Sequence, residues 1–162
     1  MRRVVVGMSL AIFVVAACSA PAASQPGWSF TPAGPEASVA AARTVTVFKS
    51  PTCGCCHEWE AYLRAHGYTV VSMPTDDMTA IKAEHGVPQA AWSCHTAIID
   101  GYVVEGHVPI EAIDDLLAEH PPIDAIALPG MPAGSPGMPG VKAAPFEILA
   151  IEAGTTSTFG SY

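Results

Sequence analysis

Three of the five cysteines fall within four residues, Cys53-Gly-Cys55-Cys56, directly after the segment Val45-Thr-Val-Phe-Lys-Ser-Pro-Thr. The apolar, β-branched residues before the cluster predict a strand, which Ser50-Pro51-Thr52 breaks. The residues after it, with Trp59, Tyr62 and Leu63 at i, i+3, i+4 spacing, predict a helix over roughly 56–65. A strand therefore delivers three thiols to a helix start. Unpaired N–H groups and the helix dipole at that end favour a negative sulfur. Two chemistries want this arrangement. One is thiol–disulfide exchange by Cys53 and Cys56, a C-x-x-C pair. The other is the binding of a soft metal, Cu(I) or Zn(II), by clustered thiolates.

The elements that follow give the cluster a context. Gly67 is a natural helix stop, and Tyr68 to Met73 reads as a second strand. Asp76 or Asp77 caps a second helix over 78–85, closed by Gly86. A third strand over 96–99 meets Asp100-Gly101, a two-residue hairpin signal, and returns over 102–106. A third helix over 109–119 has Ile110, Ile113, Leu116 and Leu117 on one face. The order β-α-β-α-β-β-α, with C-x-x-C at the end of the first strand, is an α/β, thioredoxin-like arrangement. Phe146 to Glu152 adds an extra C-terminal strand at a sheet edge, so the domain runs over 44–152. Between them, 121–145 reads as a long Pro/Gly/Met loop, and 153–162 as a polar tail.

The N-terminus has the order of a secretory signal: Met1-Arg2-Arg3, an apolar run from Val4 to Val15, then Val15-Ala16-Ala17-Cys18. The ending resembles a bacterial lipobox, with cleavage before Cys18 and acylation of it, so that 1–18 is the signal. A plain signal cut near Ala20-Pro21-Ala22 is the alternative. Either places the mature chain in the periplasm or cell envelope, where disulfides form, with membrane contact only through a lipid anchor. Residues 19–43, rich in Pro, Ala, Gly and Ser, read as a flexible tether, with Trp28 and Phe30 expected to dock on the domain. Net charge is −8, and loss of Arg2 and Arg3 takes it from −8 to −10. Such a surface repels phosphate backbones and excludes nucleic acid as a partner.

With Cys18 set apart, a fourth thiol remains, Cys94. It stands in the loop entering the third strand, where a thioredoxin-like fold normally has a cis-proline. Here the loop reads Ser93-Cys94-His95-Thr96, and the topology brings its sulfur towards the other three. Four soft ligands in one pocket suit Cu(I) or Zn(II). The plainer alternatives are a buried apolar Cys94 and a structural Cys53–Cys56 disulfide. The latter leaves Cys55 as an odd thiol, able to attack a disulfide or bind metal. His57, His95 and His107 are candidate nitrogen ligands. His66, His85 and His120 end helices, where a cationic side chain suits the dipole. Met131 and Met138 are candidate thioether ligands on a loop able to fold over the cluster, or else anchoring hydrophobes. Lys49 reads as a solvated strand end or as an aid to thiolate formation.

Val47-Phe-Lys-Ser-Pro-Thr-Cys-Gly-Cys-Cys56, Gly86-Val-Pro88, Ser93-Cys-His-Thr-Ala97 and Gly101-Tyr-Val-Val-Glu-Gly-His-Val-Pro109 together resemble the periplasmic CopG-type copper-resistance proteins. The resemblance covers about 44–152. It implies a thioredoxin-like fold and a metal site of Cys53, Cys55, Cys56 and Cys94. It further implies Cu(I) binding, extending to a multi-copper cluster, and a role in copper handling in the cell envelope. It carries no role onto Met131 or Met138. The expectation is a copper-binding protein that couples Cu(I) to thiol/disulfide or Cu(II)/Cu(I) redox, with Cys53 and Cys56 as the redox-active pair. Copper is its cofactor ahead of zinc, and periplasmic copper carriers or exporters are its expected partners. The rivals are a binding-only metallochaperone and a general disulfide oxidoreductase.

Overall fold

Strand β1 (Thr44–Lys49) is the second strand from one edge of a seven-stranded mixed sheet. It pairs in parallel with β2 (Thr69–Pro74) and antiparallel with β3 (His95–Ile99). The sheet continues through β4 (Tyr102–Glu105), β5 (Ala125–Ala127), β6 (Glu147–Glu152) and β7 (Thr155–Ser161), in the order β2-β1-β3-β4-β5-β6-β7. Three helices complete the fold: α1 (Gly54–Ala65), α2 (Met78–Glu84) and α3 (Ile110–Glu119). This is the thioredoxin-like α/β arrangement. The computed structural model describes residues 43–162, so the signal, Cys18, the tether up to residue 42, Trp28 and Phe30 lie outside the described residues. Among the described residues no helix is long and apolar enough to cross a membrane.

Alternation along β1 sends Val45 and Val47 to one face, where both are fully buried. There they meet Trp59 and Leu63 of α1 and Ile113, Leu116 and Leu117 of α3; Ile126 and Ile148 extend the same core. A smaller cluster of Val87, Ala91, Val103, Ala125, Ala127 and Ile151 forms a second core. Two hydrogen bonds tie α1 to the segment leading into α3. Trp59 Nε1 donates to the Val108 carbonyl at 3.0 Å, and Ile110 N donates to the Tyr62 hydroxyl at 2.8 Å. The α1 helix thus sits at a fixed height over the end of β1.

The structure corrects three local expectations. Helix α1 begins at Gly54, two residues earlier than the apolar spacing suggests, because the spacing reports only the buried stripe. The loop expected over 121–145 contains β5, which at three residues is too short to show a pattern. The tail expected over 153–162 is β7, paired with β6 through a turn at Ala153-Gly154, where φ is +48° and +75°. An exposed edge strand needs backbone pairing and β-branched residues rather than an apolar stripe, and Thr155-Thr-Ser-Thr158 supplies the latter.

Because Trp59 is fully buried in the main core and ties α1 to the segment leading into α3, Trp59→Ala is expected to cost about 3–5 kcal/mol. Urea unfolding of the disulfide-intact domain measures it.

Candidate metal centre

The end of β1 and the start of α1 present the cysteine triplet. Cys53 is the N-cap of α1 and makes no side-chain cap hydrogen bond, so its sulfur is not consumed by the helix. Cys55 and Cys56 lie in the first turn, amid N–H groups that have no intrahelical acceptor. Cys53 and Cys56 are joined by a disulfide, with Cα atoms 5.4 Å apart, and Cys55 and Cys94 are free thiols. The Cys55 sulfur stands 3.6 Å from that of Cys53. Antiparallel pairing of β1 with β3 sets Lys49 opposite His95, which brings Cys94 to the same end of the sheet. The Cys56 sulfur lies 4.0 Å from the Cys94 carbonyl oxygen. The sulfurs of Cys53, Cys55, Cys56 and Cys94 all fall within 4.8 Å of one another.

Cys94 also belongs to a second group, with His95 and His107, again within 4.8 Å. His107 Nε2 is 2.9 Å from the Cys94 sulfur. On its other side, His107 Nδ1 lies 2.6 Å from the Pro136 carbonyl, which can only accept, so Nδ1 carries the proton. Nε2 is then a lone-pair donor aimed at Cys94. A ring nitrogen held this way by a carbonyl is the usual second partner of a metal-binding histidine. Burial lowers the His107 pKa, which keeps the ring neutral, and burial with the neighbouring His107 and lysine charges lowers that of His95 well below its ordinary value. Burial and the adjacent Cys55 push the Cys94 thiol up to about 12. Without metal, this sulfur is therefore protonated at neutral pH.

His95 is fully buried, 4.3 Å from the Trp59 ring and 5.0 Å from that of His107. Its Nδ1 is 3.3 Å from Cys94, while Nε2 has no hydrogen-bond partner among the described residues. His57 lies outside both groups. It is 58% exposed, and its Nδ1 accepts from Lys49 Nζ at 2.6 Å. Lys49 is not a solvated strand end: it is 1% exposed and pairs with Glu60 at 3.3 Å. Burial pushes the Glu60 carboxyl up, but Ser72, Lys49 and Arg64 more than offset this and hold it below the usual range.

The chain over 130–140 closes the site from above. The Gly137 backbone approaches so near to α1 that a Cβ there would stand 2.7 Å from Trp59 N and 2.9 Å from the Cys55 carbonyl oxygen. Its φ of +81° also calls for glycine. Met138 beside it is half-buried, whereas Met131 is 50% exposed. The sequence left this loop as either a cover or a set of anchoring hydrophobes, and it did not reveal the attachment, the Pro136 carbonyl on His107. It also missed the buried charges Glu60, Lys82 and Glu105. Glu105 offered one signal: a carboxylate on a strand otherwise made of buried apolar residues.

A family described as "Protein of unknown function, DUF411" matches residues 91–138, a span holding Cys94, both buried histidines and the covering segment as far as Met138. No curated protein matches the sequence. Two solved structures of the copper resistance protein CopG are similar to this chain. One is 38% identical, with a TM-score of 0.69 over 75% of this chain and 98% of that one. The other is 39% identical, with a TM-score of 0.67 over 74% and 96%. With this identity across nearly the full length of those proteins, and with a cysteine cluster fit for a soft metal, the chain belongs to the CopG family of copper resistance proteins.

Proposed function

We propose that this protein holds Cu(I) on the thiolates of Cys53, Cys55, Cys56 and Cys94, with His107 Nε2 as an additional ligand, and that the Cys53–Cys56 pair couples metal holding to redox. The convergence of four cysteine sulfurs within 4.8 Å carries this reading. The donor set fits the metal: thiolates are soft, and Cu(I) prefers them. Zn(II) accepts a four-sulfur site too, but the redox pair adds nothing to its chemistry. Cys94 shared between the sulfur group and the imidazole group suits a bridging thiolate, and so a polynuclear copper site.

The Cys53 and Cys56 thiols together give two electrons and two protons. Two Cu(II) each take one electron and become Cu(I), and the two sulfurs join as a disulfide. A second use of the pair is release. When two further Cu(II) take the two electrons of the pair and the disulfide forms, two of the four thiolates are withdrawn, and bound Cu(I) passes to a carrier or exporter. The N-terminal signal and Cys18 support secretion to the cell envelope with a lipid anchor, the tether over 19–43 linking it to the metal-binding domain. One observation favours a general disulfide exchanger instead: the free Cys55 thiol is 3.6 Å from a disulfide sulfur.

Anaerobic titration of the reduced mature protein with Cu(I) is expected to protect all four thiols. Cys55→Ser should lower the copper stoichiometry, whereas a dithiol exchanger would tolerate it and would reduce insulin at a rate comparable to thioredoxin. Mixing the reduced protein with Cu(II) should yield Cu(I) and the Cys53–Cys56 disulfide in a ratio of about two to one, as the electron count requires. Because the Cys94 thiol, pushed up to about 12, keeps its proton after ordinary thiols have lost theirs, apparent Cu(I) affinity should go on climbing above about pH 9, a rise that Cys94→Ser should remove. A competing Cu(I) chelator with known pH behaviour reads this, and a flat profile would exclude Cys94 as a ligand.

A further inference from the structure

A loop that carries a metal ligand must be held from outside the site, and here that support is a buried carboxylate. We propose that Glu105 is a positioning residue: it fixes the Ser93–Thr96 segment and thereby sets the Cys94 sulfur against the other three.

Glu105 ends β4 and is fully buried, paired in register with Thr96 on β3. Its Oε1 accepts from Ser93 N at 2.6 Å, and its Oε2 accepts from the Thr96 hydroxyl at 2.7 Å. One carboxylate thus grips the chain on both sides of Cys94-His95. Lys82, itself 3% exposed on α2, forms an ion pair with Glu105 Oε1 and donates to Thr96 Oγ1 at 3.1 Å. The next residue completes the seat. Gly106 N donates to the His95 carbonyl at 3.0 Å, and a Cβ on Gly106 would stand 2.5 Å from Ser93 Cβ. The Ser93 hydroxyl donates to the Gly130 carbonyl, tying the loop to the covering segment. Among the described residues every peptide bond is trans, so this loop is not shaped by the cis-proline usual at this place in the fold.

A buried ion pair is weak evidence for stability, because apolar residues of similar volume often serve as well. Here its role is geometric. An apolar pair could fill the space but could not accept from Ser93 N. The inference is separable from copper, since Cys55 and Cys94 are both free thiols and their sulfurs lie within 4.8 Å of one another. Only its consequence for metal binding rests on the function proposed above.

The test uses the full mature chain with its Cys53–Cys56 disulfide intact. Dibromobimane, a short bifunctional thiol reagent, is added, and the fraction of modified Cys94 bridged to Cys55 is read by mass spectrometry. The double variant Lys82→Met/Glu105→Leu keeps the volume and removes the grip; its bridged fraction should fall about fivefold, because a ligand without its supporting shell loses its geometry. Glu105→Gln can still accept from Ser93 N and donate to Thr96, and it should bridge like the wild type. Thr96→Val removes one of the two contacts and should give a fall of about twofold. If the double variant does not fold, Thr96→Val decides. Wild-type bridging in the folded double variant, or in Thr96→Val where only that variant folds, overturns the positioning role. A separate Cu(I) titration distinguishes the two ideas. Wild-type protein that bridges but binds no Cu(I) refutes the function and leaves the positioning role standing.

Discussion

The site depends on one register. Antiparallel pairing of β1 with β3 sets Lys49 opposite His95, and so places the cysteine triplet and Cys94 at the same end of the sheet. A slip of one residue would turn every side chain of β3 to the opposite face. His95 would then leave Trp59, and Ala97 and Ile99 would leave the core. Burial of the strand therefore enforces the same alignment that the metal site needs. The hydrophobic core is the device that aims the sulfurs.

Around this end of the sheet the interior is unusually polar. Lys49 with Glu60 and Lys82 with Glu105 are buried pairs, and two buried histidines stand against Cys94. Such groups are tolerated where each finds a partner. Here the partners form a shell around the sulfurs: Lys49 engages His57 and Glu60 under the helix start, and Glu105 grips the Cys94 loop. The same burial that holds Cys94 protonated keeps His107 neutral and able to ligate. Under the proposed function, a soft cation entering this site would replace the Cys94 thiol proton and meet the lone pair of His107 Nε2.

The thioredoxin-like order was legible because its core elements are strongly periodic and its hairpin at Asp100-Gly101 has a specific turn chemistry. The sulfur cluster was legible because topology alone brings Cys94 to Cys53, Cys55 and Cys56. What escaped has physical reasons. β5 is too short and β7 too polar to reveal a strand by alternation. Lys49 looked solvated because its partner Glu60 lies on another element, eleven positions along the chain. The roles of His57 and His107 could not be separated from sequence, since the difference is made by Lys49 Nζ and the Pro136 carbonyl. The attachment of the covering segment is likewise a backbone contact, invisible in residue types.

The most direct measurement is copper K-edge X-ray absorption on the reduced protein loaded with Cu(I). The account requires a Cu(I) edge with a sulfur-dominated first shell, and a smaller nitrogen contribution that disappears in His107→Ala. A first shell of nitrogen and oxygen, unchanged when Cys94 is replaced by serine, would contradict it.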